Sequence, residues 1–178
     1  HQRIPSGPWR SRFAALFASS LLLAGREADA ERVLGAGVEE ARARGDTLAL
    51  AHLHKQRGVL ALREGRAEEA KGELAAAQTL YAQEGLLEGL ASCAVSLAHL
   101  HAKQQNLHAA RGLFERALRV FEFLGRTEGQ VLAHQWLGSL CKRLPNAQQY
   151  ATQHFVAVRR LHGQLAARAA MAAGASFT

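Results

Sequence analysis

Nine histidines and two cysteines are the side chains in this 178-residue sequence with the widest chemical repertoire. His52/His54 and His99/His101 are spaced i, i+2, which on a helix points the two rings about 200° apart, so neither pair can share an ion. The sequence has no HExxH, no CxxC and no carboxylate cluster at ligand spacing. Cys93 could meet His99 or His134, and Cys141 could meet His134, as nucleophile and base on neighbouring helices. No third group to orient the base and no oxyanion loop accompanies either pair. The glycines do not form a phosphate-cradling loop; they punctuate helices. No catalytic residue, metal ligand or cofactor is therefore expected, and the chain reads as a non-enzyme. Cys93 and Cys141, 48 residues apart in apolar helical surroundings, read as reduced core thiols.

The elements that would position these groups follow a fixed spacing. Gly45, Gly85 and Gly125 stand forty residues apart, and Gly25, Gly65, Gln105 and Pro145 share that register, as do Ala30, Ala70 and Ala110. Leu34, Leu74 and Phe114 repeat likewise, and Ala18, Gly58, Ala98 and Gly138 form a series of small residues. A period of this size means stacked supersecondary units that bury their apolar faces against one another. Low aromatic content (6 %), three prolines and an abundance of Ala and Leu favour helix over strand. In residues 46–85, Asp46 suits a helix N-cap after Gly45, and Leu50, Leu53, Leu60 and Ala61 recur at helical spacing. Arg66-Ala-Glu-Glu then opens a second helix with Ala70, Leu74, Ala77 and Tyr81 along one stripe. Small Gly58 and Ala70 mark the place where the paired helices cross. The spacing predicts helices near 11–24, 26–44, 86–104, 106–124, 126–143 and 146–170, with the 46–85 pair between them.

Net charge is +7, and the excess sits at the two ends. Residues 1–26 hold four arginines and 129–178 hold five Lys/Arg, both without an acid, whereas the stretch between them nets −2. The run Phe13–Gly25 has the look of a signal-peptide core, but its register match to 53–65 makes it the first helix of a repeat, too short to span a bilayer. A start at His1 with a single Met at 171 reads as an excised or processed piece.

Gly58…Gly65…Ala70…Leu74…Ala77, kept in the next copy as Ala98…Ala110…Phe114…Ala117, resembles the tetratricopeptide repeat, in a variant of forty rather than 34 residues. The first-helix aromatic of that family is replaced by His54, Ala94 or His134. Repeats of this length are similar to those of bacterial regulators of the maltose-activator type and of animal polarity adaptors. The resemblance implies an all-α, right-handed α-solenoid of about four helix-turn-helix units: 11–45, 46–85, 86–125 and 126–165. A flexible segment 1–10 would precede them, and a frayed tail 166–178 would follow. It also implies a groove lined by the first helices, whose positions map onto His52, Lys55, Gln56, Val59, Arg63, Ser92, Ser96, His99, Lys103, Gln135, Trp136, Ser139 and Lys142.

This lining is basic and rich in donors, while second helices carry mixed charge such as Glu68, Glu69, Lys71 and Glu73. The expected role is a cytoplasmic protein-interaction scaffold that holds a partner peptide or helix, acidic in character. The alternative is the sensor portion of a larger bacterial transcription regulator. Neither membrane nor nucleic acid is an expected partner. In the last copy Tyr150 takes the small crossing position and His154 an apolar one. Phe155, Val158 and Leu161 on 146–162 are expected to be exposed, inviting self-association at that end.

Overall fold

A computed structural model describes residues 10–175, with side chains described for 13–172. The expected flexible segment 1–10, apart from Arg10, and the tail end 176–178 lie outside the described residues. Every described element is a helix: α1 (Arg10–Leu23), α2 (Glu27–Arg44), α3 (Thr47–Arg63), α4 (Ala67–Gln83), α5 (Leu87–Lys103), α6 (Leu107–Phe123), α7 (Thr127–Cys141) and α8 (Gln148–Ala175). The chain forms two compact units, His1–Ser96 and Leu97–Thr178, divided within α5. In the first, α1 packs on α2, both pack on α3, and α3 packs on α4; in the second, α7 packs on α6 and on α8. Neighbouring helices pair as in a helical-repeat solenoid.

The forty-residue period has a simple origin. Helices α3 to α6 are each 17 residues long, and three residues separate each from the next. The turns share one hydrogen-bond pattern. After α2, the Asp46 N–H donates to the Ala41 carbonyl (2.9 Å) and the Gly45 N–H to that of Arg42 (3.1 Å). This double closure needs a left-handed residue after the helix. Gly25, Gly45, Gly65, Gly85 and Gly125 supply it with φ between 64° and 79°, and Gln105 supplies it at 63°. Asp46 adds an N-cap, its Oδ1 accepting the Ala49 N–H at 3.0 Å.

Packing follows size matching. Ala70 and Leu74 are fully buried, and a Cβ at Gly58 would stand 2.8 Å from Leu74 Cγ, so the expected crossing is where the helices meet. A second match joins one pair to the next: Tyr81 lies over Gly89, where a Cβ would come within 2.4 Å of its ring, and Phe121 lies over Gly129 at 2.6 Å. The same register carries two small residues, Ala41 and Ala49, in the first copy, both buried.

The last pair corrects several expectations. α7 ends at Cys141, and the left-handed residue of the longer 142–147 turn is Asn146 (φ 60°). This places α8 one residue later in the register. Ala151, not Tyr150, is the buried small residue, and Phe155, not position 154, is the bulky one, seated on Gly138 with its ring about 2.9 Å from where a Cβ would be. Val158 and Leu161 are buried with Val131 against α7. The apolar stripe expected to be exposed is therefore spent inside the hairpin, and the argument for self-association through it falls. α8 also continues to Ala175, beyond the end expected at 170.

Two measurements check this packing. Gly89→Ala should destabilise the chain by about 1–3 kcal/mol by overpacking against Tyr81, yet cost little in a Tyr81→Ala background, where its Cβ enters vacated space. Additive losses in urea unfolding would contradict the contact. Gln105→Gly should raise stability by about 1 kcal/mol by relieving a left-handed non-glycine residue, whereas an unchanged or lower midpoint would speak against strain there.

Candidate interaction surface

In the first unit, α3 and α5 bring His52, Lys55, Gln56, Ser92 and Ser96 to half-buried positions, with Arg63 exposed at the end of α3. The Lys55 ammonium donates to Ser92 Oγ at 3.3 Å. Burial depresses its pKa, while Cys93 and Glu88 pull the other way. Beside it, the fully buried Cys93 thiol is pushed up to about 11 by desolvation, against the opposing charge of Lys55. That thiol is inert rather than nucleophilic.

His52 Nδ1 lies 2.7 Å from the Tyr81 hydroxyl. Burial first and the Lys55 charge second lower the imidazole pKa, and burial raises that of the phenol. At neutral pH the ring is therefore uncharged. His54 turns to the other side of α3, 2.6 Å from Glu73, which also pairs with Arg57 at 3.1 Å. Burial alone would raise the Glu73 pKa, but the His54 hydrogen bond and the Arg57 charge outweigh it and hold the carboxyl low. Glu73, expected on a solvated outer face, is instead an ionised clasp between α3 and α4.

Arg63 has an internal role. Its guanidinium donates to the Leu22 carbonyl at the end of α1 and lies 3.8 Å from Glu27. It is a second donor to a carbonyl that also accepts the Gly25 N–H at 3.2 Å. The basic residue at this register position therefore ties the end of α3 to the end of α1.

In the second unit, His99 is held edge-on between two rings, 4.1 Å from Trp136 and 5.1 Å from Phe114 (centroid distances). Phe114 and Trp136 lie nearly parallel, 7° apart in plane and 6.4 Å between centroids. Burial, then the Lys103 charge, lowers the His99 pKa. Trp136 stays 43 % exposed, and Leu132, one turn earlier on α7, is 54 % exposed. Gln135 is half-buried, while Lys103, Ser139 and Lys142 are exposed. The Lys142 ammonium sits 4.7 Å above the Phe155 ring.

Sequence reasoning missed the contact between His134 and His154, whose Nδ1 atoms are 2.9 Å apart across α7 and α8. Burial lowers both pKa values. For His134, Glu122 opposes and Arg160 reinforces the shift; for His154, His134 itself and Arg111 reinforce it against Glu115. Among the described residues, no group of three His, Cys, Asp or Glu is placed to hold a metal ion. No helix among them is long and apolar enough to cross a membrane.

Charge divides sharply between the units. The first holds twelve Lys/Arg and twelve Asp/Glu, whereas the second holds ten Lys/Arg and three Asp/Glu. The entire formal excess of +7 belongs to residues 97–178. On α6 of that unit, Arg116, Arg119, Val120 and Phe123 line a shallow depression of about 300 Å³.

Comparison with known proteins gives a fold and little more. No family model matches the chain, and no curated protein matches it. Among solved structures, the crystal structure of BtubC (BKLC) from P. vanneervenii superposes with a TM-score of 0.69 at 21 % identity, covering 83 % of this chain and 61 % of that one. The chain thus spans 61 % of BtubC's length, and the likeness is one of fold. A MamA RS-1 ArsTM double mutant covers 90 % of this chain at 15 % identity, with a TM-score of 0.38. The structure is an all-helical repeat fold.

The lowered histidines predict acid sensitivity. His52, His99, His134 and His154 all titrate below the ordinary 6.5 in the folded chain. On acidification the unfolded chain therefore binds protons first. Their contribution is complete above about pH 6.5 and is lost as pH falls through the folded values. Thermal midpoints should drop from pH 7 to pH 5, and His154→Gln should lessen the drop. A midpoint flat over that range would contradict the buried neutral rings.

Proposed function

We propose that the chain is a non-catalytic protein-interaction scaffold of the tetratricopeptide-repeat type, whose first helices bind an acidic segment of a partner, extended or helical. The observation that carries this reading is Lys55. It is a half-buried ammonium bonded to a neutral hydroxyl, with its pKa depressed by desolvation. An arriving carboxylate would supply the counter-charge and the lost hydrogen bonds together. Gln56, Ser92 and Ser96 add donors and acceptors around it.

In the second unit, exposed Trp136 offers a rigid apolar contact with restrained orientation, the kind of side chain that dominates binding energy at interfaces. Lys103 and Lys142 give that unit's first helices a positive potential, and Gln135, Ser139 and His99 give it polar contacts. Net charge on residues 97–178 would speed the approach of an acidic partner and fix its orientation more than it would deepen affinity. Arg63 contributes through α1 rather than by touching the partner.

Affinity capture on the immobilised chain, followed by binding titrations with the captured protein, tests the reading. Lys55→Glu with Lys103→Glu should weaken binding more than about tenfold and flatten its salt dependence, while circular dichroism stays unchanged. Trp136→Ala should weaken it independently of salt. Retention of the same partners with the same salt dependence by the charge-reversed chain would overturn the proposal.

A further inference from the structure

The face that α1 turns away from α2 has a counterpart inside the molecule. On α3, Ala49, Leu53 and Leu60 are buried in a common core with residues of α1 and α2. Gly37 of α2 packs so closely on Leu53 that a Cβ there would come within 2.9 Å of it. These are the positions through which one hairpin seats on the pair before it. Forty residues earlier, two of them fall on Phe13 and Ser20 of α1. Phe13 is 59 % exposed, whereas Leu53, Cys93 and Ala133 at the same register position are fully buried. Ser20 is exposed, whereas Leu60, Leu100 and Leu140 are at most 4 % exposed.

The surrounding surface is apolar too. Leu16 is 65 % exposed and Phe17 43 %, and no charged residue occurs from Phe13 to Gly25. Among the described side chains nearby, Arg26 pairs with Asp29 and Arg63 with Glu27. Between Phe13 and Gly25 an acidic segment or a nucleic acid finds no partner charge. A helix with an uncharged contact row does.

We infer that this face of α1 is a docking site for another helical hairpin of the same repeat type, seated on Phe13 and Ser20 as the α1–α2 pair is seated on Leu53 and Leu60. The occupant carries a small residue, Gly or Ala, opposite Phe13, as α2 carries Gly37 opposite Leu53. Its remaining contacts are aliphatic, and it leaves the polar rows of α3, α5 and α7 uncovered. Surface that a repeat cannot cover by itself is covered by its neighbour in the stack, and continuity with the α1–α2–α3 interface specifies which neighbour fits.

The test adds that neighbour. A copy of residues 7–46 joined directly ahead of Gly7 preserves the forty-residue spacing and brings the copied α2, with its Gly37, onto Phe13. In the original copy, Phe13→Cys reports exposure through maleimide labelling, Cys93 and Cys141 being buried. Labelling should slow more than tenfold in the extended chain, helicity should rise with the added length, and Gly37→Leu in the added copy should restore fast labelling. Labelling as fast as in the parent, or added residues that gain no helicity, would overturn the inference. So would a concentration-dependent dimer of the parent chain that Phe13→Glu dissolves, because the occupant would then be a second copy.

Discussion

The structure depends on one backbone constraint, the left-handed residue that closes each helix and fixes the number of residues before the next begins. Because that closure uses three residues between the seventeen-residue helices α3 to α6, their pairs return to the same register, and side chains forty apart meet equivalent neighbours. Size matching then becomes possible. Tyr81 can lie on Gly89 and Phe121 on Gly129 only because each aromatic arrives opposite a residue without a side chain. Fully burying a ring of this size is worth about 1.5–3 kcal/mol, and a register slip would forfeit it while introducing clashes. Where the turn changes, at 142–147, the register moves by one residue, and the packing partners move with it to Ala151 and Phe155.

The same closure decides which polar groups remain for function. Arg63 is drawn across to the Leu22 carbonyl, beside the Gly25 N–H that already donates to it. Hairpin seams hold polar pairs such as His54–Glu73 and His134–His154 in partly desolvated places, where they couple stability to pH. Lys55, Gln56 and Ser92 lie beyond these seams on the first helices, and so does Trp136 in the second unit. The electrostatic excess lies wholly in residues 97–178, against a neutral first unit. In the proposed scaffold, recognition by shape and by a few anchored donors would suit the first unit, and long-range attraction the second.

Much of this was legible in the sequence because glycine is conspicuous where a left-handed residue recurs. The helices, turns and small crossing residues follow from Gly25 to Gly125 and from Gly58 with Ala70. The aromatic-to-glycine match eight residues on, Tyr81 with Gly89 and Phe121 with Gly129, was also present but is not a helical-face signal, since it joins two helices across a turn. The last pair was misread because Pro145 suggested an unbroken register; Ala147, Ala151 and Phe155 carried the shift. Charge was the least legible feature. Composition cannot distinguish a solvated glutamate from Glu73 held between Arg57 and His54, or a groove arginine from one that closes a neighbouring helix. Those assignments depend on where long flexible side chains end, which spacing along one helix does not fix.

The central claim is that hairpins are locked to one another by aromatic rings resting on glycine backbone, and proton NMR reads this directly. Protons above an aromatic face are shielded, so the Hα signals of Gly89 and Gly129 should lie well upfield of those of Gly72 and Gly112, which have open space where a Cβ would be. Tyr81→Leu should return the Gly89 signal to the ordinary range and leave Gly129 unmoved. Four glycines with similar, unshifted Hα signals in the folded chain would contradict the account.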